Sequence, residues 1–185
     1  RIAAVVLESI RNVYQEQEFL DTIRAVTKQE GIVLIADEVS AGFRLTCGGA
    51  HLVLGFEPDM AVMAKALSNG YPMSVVFGKA QCMESAQDTF ISSTYWTERI
   101  GLGAAVATIK KYHNATVEKH LDHIGKIVKE GLREIADRHE VSISISGINP
   151  MAHFEFQYEE PLVYKSFYTQ EMLKRGYLAT TAVYA

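Results

Sequence analysis

The chain has 185 residues, of which 48% are hydrophobic and 22% are charged, so it can bury a sizeable core in one domain or a little more. Its net charge of -4 provides no basic surface for nucleic acid, and no apolar run reaches the length of a membrane span. We therefore expect neither a nucleic-acid partner nor a membrane partner. Only two cysteines, Cys47 and Cys82, are present, which excludes a disulfide framework and favours a cytoplasmic location.

The first half of the chain predicts an α/β fold. Apolar runs at Ile2–Leu7 and Ile32–Ala36 are typical of parallel strands buried on both faces. A helical pattern over about Glu16–Gln29 lies between them and completes a right-handed β-α-β unit. Further strands are predicted at Met60–Ala64 and Met73–Phe77, so we expect a mostly parallel sheet covered by helices.

A long helix is predicted next, with Thr97 as its N-cap. Its apolar stripe consists of Ile100, Ala104, Ala105, Ile109 and Tyr112. A second helix is predicted over Val117–Arg138. The chain begins at Arg1, inside a predicted strand, and we interpret it as an internal piece of a longer polypeptide.

The last third changes character, because residues 141–146 alternate between apolar and serine side chains. This half-exposed strand is predicted to pair with Met151–Phe156, and a helix over Leu162–Arg175 follows, with no closing element after it. We therefore predict that residues 1–115 belong to a large α/β domain. Residues 116–185 would then form a linking helix and part of a smaller α+β domain.

Two charged residues follow buried strands, Asp37 after the second and Lys65 after the third. Open α/β sheets bind ligands outside the carboxyl ends of their strands, so an acid and an amine there point to chemistry. Either residue taken alone is more often a helix cap or a surface charge. His120 and His123 lie one helical turn apart, but no third ligand accompanies them, and we predict a solvated helix face and no metal.

The context of this pair resembles the class III (ω-amino acid) aminotransferases, pyridoxal-phosphate (PLP) enzymes of fold type I, and especially their glutamate-1-semialdehyde 2,1-aminomutase branch. The matching motifs are Leu34-Ile35-Ala36-Asp37-Glu38-Val39, Ala41-Gly42-Phe43-Arg44, Pro58-Asp59-Met60, Ala64-Lys65-Ala66-Leu67 and Asn69-Gly70-Tyr71-Pro72. Their order and spacing make the signal specific. The resemblance covers roughly Ile2 to Gly176.

The resemblance implies a role for each matching position. Lys65 would hold PLP as a Schiff base and move protons, and Asp37 would pair with the ring nitrogen. Val39 would pack on one face of the ring, and Thr94 would bind the cofactor phosphate of a neighbouring subunit. Ser40 stands where many members have a glutamine that contacts the ring hydroxyl, so its contact would be shorter or water-mediated.

The implied activity is amino transfer between an amine or amino acid and a carbonyl substrate, in a homodimer with shared active sites. An intramolecular 2,1-aminomutase is the alternative within the family. A non-catalytic fragment is a second hypothesis, because the phosphate loop of relatives would lie upstream of Glu8. A nucleotide-binding protein is the weakest hypothesis, since the glycine-rich turn that it requires is missing from this sequence.

Overall fold

The computed structural model describes residues 1–185, which form two compact units. The first unit comprises Arg1–Ile10 and Gln15–Glu118, and the second comprises Arg11–Tyr14 and Lys119–Ala185. None of the helices combines the length and the hydropathy that a membrane span requires. The predicted domain limits, at residues 115 and 116, stay a prediction.

A four-stranded sheet with the order β1-β2-β3-β4 forms the centre of the first unit. The strands β1 (Ala4–Glu8), β2 (Val33–Asp37) and β3 (Met60–Met63) are parallel. The fourth strand, β4 (Val75–Gly78), is antiparallel to β3. Helix α1 (Gln17–Gln29) connects β1 to β2. The predicted fold class, a mostly parallel sheet with helices, is confirmed.

Three further helices belong to this unit, namely α2 (His51–Leu54), α3 (Ala80–Met83) and α4 (Arg99–His113). Short 3-10 turns occur at Lys65–Leu67 and Glu84–Asp88. Elements of three to five residues show too little periodicity to be found from sequence, which is why α2, α3 and the two 3-10 turns were not predicted.

The prediction that the first two strands are buried on both faces is wrong. Val6 of β1 is 64% exposed, and β2 alternates, with Leu34 and Ala36 buried and Ile35 only half-buried. β1 is an edge strand that pairs only with β2, so one side of it lacks a neighbour. A continuous apolar run therefore shows that a segment suits a buried strand, whereas its actual burial depends on what covers it.

Two apolar clusters hold the first unit together. One contains residues of α1, β2 and β3 together with Phe56 from the segment before β3, namely Leu20, Leu34, Ala36, Phe56 and Ala61. The other joins β3 to α4 and consists of Phe43, Met63, Leu67, Ala105 and Tyr112. The second cluster packs the turn after β3 against α4 and so anchors the backbone next to Lys65.

The N-terminus of α4 is capped differently from the prediction. Glu98, not Thr97, is the N-cap, and its carboxylate accepts hydrogen bonds from Ile100 N (2.8 Å) and Gly101 N (2.9 Å). The predicted stripe is also partly wrong, because Ile100 is 62% exposed while Ala105 and Tyr112 are buried. A glutamate reaches the free N–H groups of the first turn as well as a threonine does, so residue type alone did not identify the cap.

The second unit contains an antiparallel sheet with the order β5-β6-β7. Helix α5 (Val117–Arg138) precedes β5 (Ile143–Ser146) and β6 (Met151–Phe156), which pair as predicted. Helix α6 (Pro161–Lys174) leads to β7 (Ala182–Tyr184), which pairs with β6. The expectation of no closing element is therefore wrong, because three residues completing a sheet edge leave little sequence pattern.

Candidate active site

Asp37 and Lys65 lie at the carboxyl ends of adjacent parallel strands. The register aligns Glu8, Asp37 and Val62 across β1, β2 and β3, and Lys65 follows directly after β3 and Ala64. The side chain of Lys65 is exposed. This edge of the sheet therefore carries the carboxylates of Glu8 and Asp37 and one accessible amine.

Ser40 connects these two strand ends. Lys65 Nζ donates a hydrogen bond to Ser40 Oγ at 2.6 Å. Ser40 is only 6% exposed, and its carbonyl oxygen accepts from Arg44 Nε at 2.7 Å. The family resemblance implied a contact between this hydroxyl and the cofactor ring. In the structure the hydroxyl contacts the lysine directly, and it holds the amine toward the end of β2.

The backbone at Lys65 is unusual, because its φ of 46° lies in the left-handed region. A residue with a side chain adopts this region at a cost of about 1–2 kcal/mol. Such strain concentrates at functional sites, where the surrounding structure holds the residue in place. Here the neighbouring Leu67 is buried in the cluster with Met63 and Tyr112, which keeps the turn in position.

One oxygen of the Asp37 carboxylate accepts a hydrogen bond from the backbone. Its Oδ1 accepts a hydrogen bond from the backbone N–H of Val39 at 3.0 Å, while no hydrogen bond of the chain reaches Oδ2. The side chain is half-buried. The contact with Val39 orients the carboxylate and leaves one oxygen able to accept a proton donor.

Thr94 lies apart from the hydrogen bonds that involve Asp37, Ser40 and Lys65. It is exposed, in the turn of residues 94–97 that leads into α4. Its neighbours Tyr95 and Trp96 are 57% and 61% exposed, so neither belongs to the core. The structure therefore unites Asp37, Val39, Ser40 and Lys65 and leaves Thr94 separate.

Glu38 is fully buried, at 0% exposure, and its place in the site was not predicted from the sequence. Its carboxylate accepts hydrogen bonds from Ser9 Oγ (2.7 Å), Ala50 N (2.8 Å) and His51 N (2.8 Å). His51 Nδ1 lies 2.9 Å from the same carboxylate. The available signal was the alternation of a strand, which turns Glu38 to the face opposite Asp37.

Burial raises the pKa of Glu38, but the hydrogen bonds from the His51 ring, the Ser9 hydroxyl and two backbone N–H groups outweigh it, so the pKa lies below its ordinary value. The carboxylate is therefore ionised in the folded chain. An ionised carboxylate only accepts hydrogen bonds, so His51 Nδ1 carries a proton.

A second buried carboxylate, Asp59, marks the other end of β3. It accepts from Leu34 N and Arg24 Nη1, both at 2.9 Å, and from Lys79 Nζ at 3.2 Å. An open groove of about 500 Å³ lies beside it. Because ligands of parallel sheets bind at the carboxyl ends of strands, the edge with Lys65 is a better candidate site than this groove.

Comparison with known proteins identifies relatives of this chain. The chain is 30% identical over 171 residues to a glutamate-1-semialdehyde 2,1-aminomutase of Methanocaldococcus jannaschii, covering 89% of this chain and 40% of the relative. It is 33% identical to the 5-aminovalerate aminotransferase DavT of Pseudomonas aeruginosa, covering 83% of this chain and 37% of the relative. The chain thus spans about two fifths of the length of these curated relatives.

Solved structures show the same fold. The FumI protein of a Sphingopyxis species, determined in its PLP internal aldimine form, superimposes with a TM-score of 0.87 at 26% identity, over 98% of this chain and 45% of that one. A transaminase with PLP bound superimposes with a TM-score of 0.83, at 18% identity, over 100% of this chain and 47% of that one, which shows the fold alone. The family model described as "Aminotransferase class-III" matches residues 1–182 of this chain. This match confirms the resemblance that the motifs indicated, and the chain belongs to the class-III aminotransferase family.

Proposed function

We propose that the protein to which this chain belongs is a PLP-dependent enzyme that transfers an amino group between an amine or amino acid and a carbonyl compound. The observation that carries the proposal is the Lys65–Ser40 contact of 2.6 Å at the strand ends that also present Asp37. The family match over residues 1–182 supports it.

The donor set fits the cofactor. PLP has an aldehyde, which requires an amine, and a ring nitrogen, which requires a carboxylate. Lys65 supplies an exposed amine, and Asp37 supplies a carboxylate with one oxygen free of hydrogen bonds. When bound, PLP withdraws electrons from the substrate carbon that carries the amino group.

Each residue then has a stated task. Lys65 Nζ would hold the cofactor aldehyde and afterwards move protons at the substrate carbon. Asp37 Oδ2 would keep the proton on the ring nitrogen, because a nearby negative charge favours the charged form. Ser40 Oγ would orient the lysine amine, and the side chain of Val39 would lie against the ring.

We propose that the working unit is a cytoplasmic homodimer in which Thr94 binds the cofactor phosphate of the partner. Two observations support a shared site. Thr94 is exposed in the turn of residues 94–97, where its hydroxyl is accessible to a group of another chain. The segment around it is apolar and exposed, with Phe90 93% and Trp96 61% exposed, as a surface that meets a second copy would be.

A 2,1-aminomutase is the second candidate, because relatives of both activities match this chain at similar identity. The two reactions use the same amine and the same acid, so Lys65 and Asp37 do not separate them. A requirement for a separate amino donor would establish transamination, whereas turnover of a single substrate without a donor would establish the mutase.

The decisive experiment is an absorption spectrum of the purified protein with PLP, followed by borohydride reduction and mass mapping of the adduct. We expect a visible band that borohydride abolishes, with the adduct on Lys65. Lys79→Ala is the matched control, because Lys79 lies near the opposite end of β3 in ion pairs with Glu57 and Asp59.

Lys65→Ala should abolish the adduct, and Lys79→Ala should keep it. An adduct on another lysine, or none from the full polypeptide, would contradict the proposed function and favour the non-catalytic alternative.

A further inference from the structure

Glu38 joins the three parallel strands at the edge where Asp37 and Lys65 emerge. Its carboxylate accepts a hydrogen bond from Ser9 Oγ, on the first residue after β1 (Ala4–Glu8), at 2.7 Å. Its backbone N–H donates to Val62 O of β3 at 2.9 Å. One buried residue is therefore bonded both to the chain leaving β1 and to the strand that ends before Lys65.

The same residue closes the loop that carries Ser40. The loop leaves β2 at Glu38 and returns at Ala50 and His51, whose N–H groups donate to the Glu38 carboxylate at 2.8 Å each. Gly42 N donates to Glu38 O at 2.8 Å. A Cβ at Gly42 would lie 2.8 Å from that oxygen, so only glycine permits this path. Ser40 lies within the closed loop, and its position follows from these bonds.

We propose that Glu38 is a positioning residue for the Asp37–Ser40–Lys65 site and that His51 is the side chain that holds its carboxylate in place. The catalytic consequence rests on the proposed function, whereas the closure of the loop is a property of this chain alone. Glu38 acts through Asp37, its neighbour in sequence, and through Ser40. It has no direct contact with the lysine.

The competing explanation is that Glu38 merely stabilises the fold, and Asp59 offers a matched comparison. Both carboxylates are buried, both accept backbone and side-chain hydrogen bonds, and both join neighbouring strands. They differ in position. Asp59 lies at the start of β3, whereas Glu38 lies at the opposite edge of the sheet, where Lys65 follows β3. A variant at either position loses a buried carboxylate, but only one of them disturbs the loop of Ser40.

The test compares Glu38→Gln with Asp59→Asn in the full polypeptide, at a temperature where both variants are folded. PLP affinity is measured by titrating the visible band, and the Lys65 adduct is quantified after reduction. We expect Glu38→Gln to weaken PLP binding by about tenfold and Asp59→Asn by no more than about twofold, because only the first leaves donors at the site without their acceptor.

Two variants of His51 test whether a hydrogen-bond donor at this position preserves the PLP affinity. His51→Gln keeps a neutral donor near the carboxylate and should retain most of the affinity, whereas His51→Phe removes the donor and should resemble Glu38→Gln. A residue with a purely structural role would not separate the two variants when their melting temperatures match. Should Glu38→Gln fail to fold, His51→Phe and Ser9→Ala answer the same question, since each removes one donor.

Hydrogen exchange of the cofactor-free protein makes the result independent of activity. Glu38→Gln should speed exchange at residues 39–51, while Asp59→Asn should not. Equal losses of affinity in both variants, or unchanged exchange at residues 39–51, would overturn the proposal. If the wild-type protein forms no adduct at all, the proposed function fails, and the exchange result alone decides whether Glu38 closes the loop.

Discussion

Lys65 Nζ donates a hydrogen bond to Ser40 Oγ at 2.6 Å, which joins residues 25 positions apart in the sequence. The contact holds an exposed amine against a buried hydroxyl at the edge of the sheet. It joins the ends of β2 and β3, where the candidate catalytic residues lie. Mutation of this contact is therefore the first test of the site.

Ser40→Ala should weaken the binding of PLP without unfolding the protein. A single hydrogen bond contributes about 1 kcal/mol, which corresponds to about a fivefold change in affinity. The measurement is a PLP titration followed at the visible band. Ser166→Ala is the control, because its hydroxyl bonds only to Leu162 O on the exposed helix α6. Equal affinity of Ser40→Ala and the wild type would show that the hydroxyl does not orient the lysine.

Asp59 should make stability depend on pH. Burial raises its pKa, but hydrogen bonds from Leu34 N, Arg24 and Lys79 outweigh burial and hold the pKa below its ordinary value. A lowered folded-state pKa means that the stabilisation is complete above the unfolded value of about 3.9 and is lost as pH falls through the folded value.

Asp59→Asn should therefore lower the free energy of unfolding by about 1–3 kcal/mol at neutral pH, and the difference should shrink below about pH 4. Urea unfolding at several pH values measures it. The exposed Asp88→Asn serves as control, with an expected change within about 0.5 kcal/mol. A difference that stays constant down to acidic pH would contradict the assigned ionisation.

Gly125 of α5 should not tolerate a side chain. A Cβ there would overlap the backbone oxygen of Asn149, so Gly125→Ala forces the helix and this segment apart. We expect a loss of about 1–3 kcal/mol, typical of overpacking. Gly131, on the same helix, has no atom within 4 Å of such a Cβ, and Gly131→Ala should stabilise by about 0.5–1 kcal/mol. Thermal unfolding of the two variants should shift in opposite directions, and a shared direction would contradict the close approach.

Mixed dimers test the shared site. If Thr94 serves the partner's cofactor, a dimer of one Lys65→Ala chain and one Thr94→Ala chain has one site with both defects and one intact site. Coexpression of the two inactive variants should then restore up to half of the wild-type activity per mixed dimer. If Thr94 serves its own chain, every site carries one defect and activity stays lost. Sedimentation of the wild-type protein gives the oligomeric state independently.

The sequence by itself determined the elements with a clear period. The helix Val117–Arg138 and the strand Met151–Phe156 match their predicted limits, because side-chain alternation and the helical repeat are local properties. The placement of Asp37 and Lys65 at the ends of parallel strands was also predictable, since charged residues end apolar runs there. The motifs around them were sufficient to indicate the family.

Tertiary structure alone decided which groups meet. The Ser40 hydroxyl reaches Lys65, and the Glu38 carboxylate is buried against Ser9 and His51, through contacts between segments 13 to 29 residues apart. No local period encodes the path of the loop that makes these contacts. The antiparallel direction of β4 and the existence of β7 were equally hidden, because strand direction and edge pairing depend on the free energy of whole-chain packing and not on the residues of one segment.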